Sequence, residues 1–402
     1  MNASSLRIRR YVPVAAALAG VLAAMTSLWT TPVAAADVHF QRHDVGDYPG
    51  PYQVAVADVN GDGKPDVLVL STQANCVDWF ENPTWRKHPI ARTASNIDLA
   101  PFDLDRNGKP GVALASEFNF GDGAHGGAIQ WLTPGEPGQL WKAQPIGRDP
   151  VVHRLRWGDL DGDGRPELVH APILGAGSHG FTPLRPSHLW AFRPPKQPGG
   201  AWEKWVIDET LTVIHGLYVG DLDGDGRAAV LTASFEGIYR FDWKQGRWQK
   251  THIAAGAPPI GNGPGAPRGS SEVVPVRVGP QRLLLAAIEP WHGHQVVVYA
   301  PGKDGTPWQR QVLDDSMKEG HALAAGDFDG DGQDEIVAGW RGGQGGVKLF
   351  HINPDGTSWR SQIVDRGVAA EAAVVADING DGKLDIVVSG GHNNKVFWYE
   401  NK

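Results

Sequence analysis

Six copies of one acidic turn, set at regular intervals, constrain this chain more than any other feature of it. They read Asp58-x-Asn60-x-Asp62-Gly63, Asp103-x-Asp105-x-Asn107-Gly108, Asp159-x-Asp161-x-Asp163-Gly164, Asp221-x-Asp223-x-Asp225-Gly226, Asp327-x-Asp329-x-Asp331-Gly332 and Asp377-x-Asn379-x-Asp381-Gly382. Neighbouring copies begin 45 to 62 residues apart, except for a step of 106 between Asp221 and Asp327. Inside that step, Val273 to Ala287 reads as a seventh, degenerate unit with Gly279-Pro280 in place of the turn. Self-similarity on this scale marks a repeat architecture, so the unit has to be understood before the whole.

Each unit reads as four short strands. One apolar strand enters the turn and a second leaves it, as in Val67 to Leu70 or Ile386 to Val388. A third carries aromatics, as in Val77 to Phe80 or Val396 to Tyr399, and a fourth is marked by a tryptophan five or so residues before Ile or Val, as in Trp85, Trp248 and Trp308. Helical periodicity is nearly absent, and 52 glycines with 30 prolines reinforce that. Four strands repeated at this spacing predict an all-β fold, a seven-bladed β-propeller. The last unit stops after its third strand, while residues 38–45 resemble a lone fourth strand. Their pairing would close the ring and remove both free sheet edges.

The turns themselves predict a cation. Oxygen donors at positions 1, 3, 5 and 9, with a backbone carbonyl near 7, suit a hard ion that needs many oxygens, so several structural Ca2+ sites are expected. The ninth positions are Asp66, Glu167, Glu335 and Asp385, whereas Gly111 and Ala229 replace the acid in two units, where binding should be weak or water-assisted. A plain acidic turn without metal is the alternative.

Residues 1–36 are expected to be an export signal: Arg7, Arg9 and Arg10, an apolar run from Val12 to Trp29, then Ala34 to Ala36. The expected propeller spans 37–402, secreted or periplasmic, off the membrane once the signal is removed, and monomeric. A single cysteine, Cys76, rules out an internal disulfide and leaves the core and metal ions to hold an exported fold. Without the three signal arginines, 34 basic residues face 45 acidic ones, and 19 of those acids sit in the turns. The acidity is therefore local and aimed at cations, which argues against a nucleic-acid partner.

Propeller topology then places the remaining polar residues. All acidic turns fall on one face; the starts of the first strands and the turns between second and third strands fall on the other. Six residues before each turn the first strands carry Tyr52, Ile97, His153, His215, Glu272, His321 and Glu371. The second-to-third turns add His125, His179, Glu289, His292, His294 and His392, so eight of 15 histidines map to one face. The Gly/Pro-rich stretches 175–187 and 255–271 lie there too and read as cleft walls. Three readings of this ring stay open: a transition-metal site, since imidazole and carboxylate suit zinc or manganese; a histidine acting as a base beside a carbonyl or carboxylate; or a polar channel mouth whose histidines bond to backbone. Glu272, Glu289 and Glu371 contain a pair of carboxylates for glycoside hydrolysis, but the histidine-rich mouth favours elimination.

The turns resemble those of FG-GAP and related repeat propellers. A narrower resemblance is carried by Val152 to Asp159, Val213 to Asp221 and Ile288 to Val296, which are similar to the propeller of aldos-2-ulose dehydratases. That resemblance implies metal-assisted removal of water from keto-sugars such as anhydrofructose, without the additional domains of the full fungal enzyme. It implies a carbon–oxygen lyase acting on a keto-sugar or related glycan at the channel mouth, with a second divalent ion (Zn2+, Mn2+ or Mg2+) held by ring histidines and a glutamate. Under that reading His153 or His215 is the base, His292, His294 or Tyr52 the acid, Arg154 the enediolate or carboxylate partner and Trp291 a stacking platform; His321 and Glu289 complete the candidate set. The alternative is a non-catalytic extracellular propeller that binds glycans or proteins on the same face.

Overall fold

The computed structural model describes residues 37–402 apart from 137, 198, 281, 304 and 305; the expected export signal over 1–36 lies outside the described residues. Among the described residues the chain forms seven antiparallel sheets of four strands each, and no helix is long and apolar enough to cross a membrane. In chain order blades 1 to 6 cover 51–91, 98–148, 154–208, 216–254, 272–314 and 320–366. Blade 7 takes three strands from 370–401 and its outermost strand from Phe40–Asp47 at the other end of the chain. That strand pairs antiparallel with Lys395–Asn401, Phe40 opposite Asn401 and Asp47 opposite Lys395, and lies two residues further along the chain than the 38–45 read from the sequence. Arg42 fixes it further, stacking 4.0 Å over Phe397 and bonding to Asp365 at 3.0 Å.

The second strands explain why the ring packs without a single core. Asp66–Ser71 is buried along its whole length, as are Gly111–Ser116, Ala229–Ser234 and Asp385–Gly390. Successive side chains point to opposite sheet faces. Val67 and Val69 therefore pack with Val387 and Val396 of blade 7, while Leu68 and Leu70 pack with Leu99, Val112 and Leu114 of blade 2. Each interface joins neighbours only, as expected of a repeat protein.

The turns close on their own aspartates. Asp58 accepts the backbone N–H groups of Gly61 and Gly63, both at 2.8 Å, and Asp159, Asp221, Asp327 and Asp377 repeat the pattern. Gly63 adopts φ +83°, a conformation in which a side chain would be strained. Blade 5 lacks the acidic loop as expected: its first two strands, Glu272–Val278 and Arg282–Glu289, meet through Gly279 at φ +66°.

The ninth-position acids do something the sequence did not disclose. Asp66 accepts from Val59 N at 2.9 Å and Asn82 N at 2.8 Å, one bond on each carboxylate oxygen. Asp385 does the same with Ile378 and Asn401. All four acids are buried, and in blades 1 and 7 the acid latches the turn to the third strand through both of its oxygens. Expected as the ninth calcium ligands, Asp66 and Asp385 already have both oxygens committed to backbone donors.

Candidate functional site

The inner strands start at one mouth of the channel and bring their first polar residues together there. Tyr52 comes from blade 1, His153 and Arg154 from blade 3, His215 from blade 4, Glu272 from blade 5, His321 from blade 6 and Glu371 from blade 7. Blade 2 contributes only the buried apolar Ile97. The loop after the second strand of blade 5 adds His292, which takes φ +48°. A cavity of about 410 Å³ continues between the inner strands, lined by Arg154, Glu272, His321 and Glu371 together with Gln53 and Asp98.

Four of the eight histidines expected on this face converge. The ring centroids of His215 lie 4.8 Å from His153, 4.7 Å from His292 and 5.0 Å from His321. Their hydrogen-bond partners settle the tautomers. His215 Nδ1 sits 2.9 Å from Glu272 Oε1 and 3.1 Å from the Ser271 carbonyl, so it carries the proton and leaves a lone pair on Nε2. His321 Nδ1 donates to the Glu371 carbonyl at 2.5 Å, and its Nε2 accepts from Tyr52 Oη at 3.3 Å. His292 Nε2 is 2.9 Å from His215 Nε2, while its Nδ1 accepts from Arg341 at 3.3 Å. Neither nitrogen of His153 makes a hydrogen bond, and its Nδ1 is buried.

Charge in the site is balanced by two arginines and two glutamates. Arg154, 2% exposed, donates to Glu272 at 3.2 Å and keeps a second, buried guanidinium nitrogen without a partner. Arg341 bonds Glu371 at 2.7 Å. Burial, and then the positive charge of Arg154, hold His153 well below the ordinary histidine value; burial and Arg341 do the same for His321. His292 is pushed down by burial, His215 and the arginines. Burial lowers His215 as well, although Glu272 opposes it. Burial alone would raise Glu272, but Arg154 and His215 overcome that and hold its carboxyl below the usual range. Burial pushes the Tyr52 phenol up. The cluster is therefore four neutral imidazoles between fixed charges, with a phenol that keeps its proton.

These residues fit a divalent ion in part. His215, His292 and His321 place ring nitrogens within 4.8 Å of one another. The lone pairs of His215 and His321 face inward, each fixed by an acceptor on the far nitrogen, as ligating imidazoles are. His292 is tied to Arg341 through Nδ1, so its Nε2 is free to ligate only when that contact is given up.

The other candidates lie elsewhere. Glu289, wholly buried, accepts from Ser270 and Tyr299 at 2.7 Å and from Arg310 at 2.9 Å. With every oxygen satisfied and no contact to the histidines, it anchors the loop and takes no place in the ring. No hydrogen bond or ring contact joins His294 to the cluster; its carbonyl accepts from Met317. His125 and His179 are exposed and bond to Asp122 and the Gly121 carbonyl, and His392 is also exposed. Trp291 is half-buried among rings: it stacks on His292 at 4.3 Å and lies near-parallel to Phe120 at 6.3 Å, with Phe181 and Phe235 edge-on to it. It props His292. The stretches 175–187 and 255–271 supply the wall it leans on, through Phe181, Leu184 and Arg268. Arg341 was missed from the sequence although it occupies a second-to-third-strand turn, the position that revealed His292.

On the opposite face, Asp159, Asp161 and Glu167 converge, as do Asp327, Asp329 and Asp331, each set within 4.8 Å. Two turns already contain a cation. Arg193 pairs with Asp161 and, at 3.0 Å, with Glu167. Arg240 pairs with Asp223 at 2.5 Å and Asp242 at 2.6 Å. A guanidinium thus neutralises the third-position carboxylate expected to bind calcium in blades 3 and 4.

Comparison with known proteins bears out the resemblance. Residues 126–302 match the family model for the aldos-2-ulose dehydratase β-propeller domain, a stretch containing all three segments that carried the narrower likeness. Residues 58–114 and 327–388 match FG-GAP-like repeats. The chain is 27% identical over 287 residues to aldos-2-ulose dehydratase of Phanerodontia chrysosporium, across 65% of this chain and 31% of that protein. It thus spans about a third of the relative's length. The crystal structure of BBS1N in complex with ARL6DN soaked with lead superposes with a TM-score of 0.56 at 12% identity, covering 92% of this chain and 98% of that one. The same complex soaked with mercury gives 0.56 at 12% identity, with 90% and 97% covered. At that identity these structures share the fold alone.

Proposed function

We propose that this propeller is a carbon–oxygen lyase that eliminates water or a glycosidic leaving group from a keto-sugar at the histidine-lined mouth. The observation that carries the reading is the cluster itself: four buried, neutral imidazoles around Tyr52, Arg154 and Glu272, in a chain similar to a sugar dehydratase. A divalent ion held by His215 and His321, when bound, would polarise the sugar carbonyl and acidify the neighbouring C–H.

The protein's own groups account for the proton movements. His153, neutral and with no hydrogen bond competing for its nitrogens, takes the proton α to the carbonyl. The C–H electron pair becomes the new C=C bond as the β-substituent departs with its bonding electrons. Tyr52, protonated because burial disfavours phenolate, gives its proton to the leaving oxygen, so that water or an alcohol is released. The unpartnered guanidinium nitrogen of Arg154 bonds to the oxygen on which negative charge develops, in a site screened from water. Glu272 holds Arg154 and His215 in these roles.

The test is ultraviolet absorbance from a new conjugated double bond. Purified protein, stripped of metal and reloaded with calcium alone or with zinc, manganese or magnesium added, is incubated with aldos-2-uloses, keto-glycosides and uronate polymers. Metal-dependent absorbance supports the lyase. Saturable binding without product, across the panel, would replace it with a glycan-binding propeller.

A further inference from the structure

The acidic turn of blade 6 is built differently from its siblings, and the difference lies in the residue beside its ninth position. Phe192 pairs with Leu168 in blade 3, which sets Arg193 next to Glu167; Phe350 pairs with Ile336 in blade 6, which sets His351 next to Glu335. Where blade 3 has a permanent cation, blade 6 has an imidazole.

The orientation of that imidazole is fixed. His351 is fully buried, and its Nε2 lies 3.3 Å from Gln362 Oε1. The Gln362 amide is itself oriented by the backbone of Val38, whose carbonyl accepts from its Nε2 and whose N–H donates to its Oε1 at 3.2 Å. Gln362 therefore offers His351 an acceptor, and the neutral ring carries its proton on Nε2. Its lone pair, on Nδ1, points the other way, 3.5 Å from Glu335 Oε1, where Nδ1 is buried without a hydrogen bond. Ligand atoms of Asp329, Glu335 and His351 all lie within 4.8 Å of one another. Glu335 keeps Oε1 available because only Oε2 is taken, by Phe328 N at 2.9 Å.

A buried lone pair facing the buried Glu335 carboxylate, with the exposed Asp329 carboxylate beside it, is repulsive unless a cation stands between them. We propose that Asp329, Glu335 and His351 form a zinc-class site, separate from the channel mouth and from the oxygen-only turns. One imidazole with two carboxylates suits a borderline transition ion, whereas calcium selects oxygen donors throughout. Gln362 plays the part of the outer partner that holds a ligating imidazole in one tautomer and one orientation. The site ties the turn of blade 6 to its third strand, the same two points that Arg193 ties in blade 3.

The measurement is zinc retained per chain after dialysis against zinc in excess calcium, for the parent, His351→Gln and Asp329→Asn. Each variant should hold one zinc fewer than the parent, and the zinc-dependent rise in Tm should shrink with it. Asp329 is exposed on the turn, so Asp329→Asn tests the site even where replacing the buried His351 prevents folding. A parent that retains no zinc, or variants that retain as much as the parent, would overturn the assignment.

Discussion

Glu272 of blade 5 reaches back to His215 of blade 4, with Oε1 2.9 Å from the imidazole Nδ1, and the same oxygen holds Arg154 of blade 3 at 3.2 Å. Three consecutive blades are thereby joined at the channel mouth through one carboxylate. Glu272→Gln keeps the shape and removes the charge, which leaves the 2% exposed guanidinium of Arg154 without its nearest counter-ion. Breaking a buried pair from one side costs about 3–5 kcal/mol. Urea unfolding should show a loss of that order with an unchanged denaturant slope. A change below about 0.5 kcal/mol, the scale of a neutral surface substitution, would mean that Arg154 is neutralised by other groups.

The four convergent histidines should separate from the four outlying ones in activity. Under the lyase reading, His153→Gln lowers kcat by about 10²–10⁴-fold, the contribution of a positioned base, and His215→Ala abolishes turnover through loss of the cluster's central member. His125→Ala and His392→Ala, both on exposed side chains, leave turnover unchanged. Circular dichroism and Tm confirm that each variant is folded. Equal losses at His125 and His153 would move the chemistry away from the ring.

Acid should weaken the metal-free protein from the histidine side. His153, His215, His292 and His321 are all depressed in the fold, chiefly by burial, from an ordinary value of 6.5. Above that value both states are neutral and the histidines contribute nothing. As pH falls below it, the unfolded chain takes up protons that the fold refuses, so stability declines. Buried carboxyls act in the opposite sense: burial lifts Asp66 to about 6 against the N–H bonds of Asn82 and Val59, so it binds its proton in the fold first. That gain falls between roughly pH 6 and 4. Unfolding free energy measured in chelator should therefore begin to drop below pH 6.5, and less steeply in His153→Gln. A drop equally steep in the parent and in His153→Gln would contradict the neutral cluster.

Much of this could be read from residues because repetition magnifies weak signals. One Asp-x-Asp-x-Asp-Gly turn says little, but six in register fix the strand order, the seven blades and the face on which His153, His215 and His321 must emerge. What stayed hidden depends on side-chain partners that spacing does not encode. Glu289 and Glu272 look alike in sequence, yet one is closed off by Ser270, Tyr299 and Arg310 and the other faces the channel. Trp291 looks like a sugar platform in sequence, yet it stacks on His292 and props that ring. Arg193 and Arg240 lie 32 and 17 positions from the aspartates they neutralise, so no local motif announces them.

The latch role of the ninth-position acids separates two effects that a calcium site would otherwise merge. Asp66 is wholly buried and gives one oxygen to Val59 N and the other to Asn82 N. Asp66→Asn replaces one of those acceptors with a donor and leaves a buried N–H unsatisfied, at a cost of about 1–3 kcal/mol. Because that loss belongs to the fold, it should be present in chelator and in calcium alike. Asp62 is exposed, and its bonds are to Lys64 N and the Asn60 amide within the same turn. Asp62→Asn should barely change the metal-free Tm, yet it should reduce the calcium-dependent rise, since binding stabilises in proportion to affinity. Thermal unfolding of both variants across a calcium titration measures the two slopes directly. If Asp66→Asn is harmless in chelator but removes the calcium response, the ninth acid is a ligand after all and the latch is secondary.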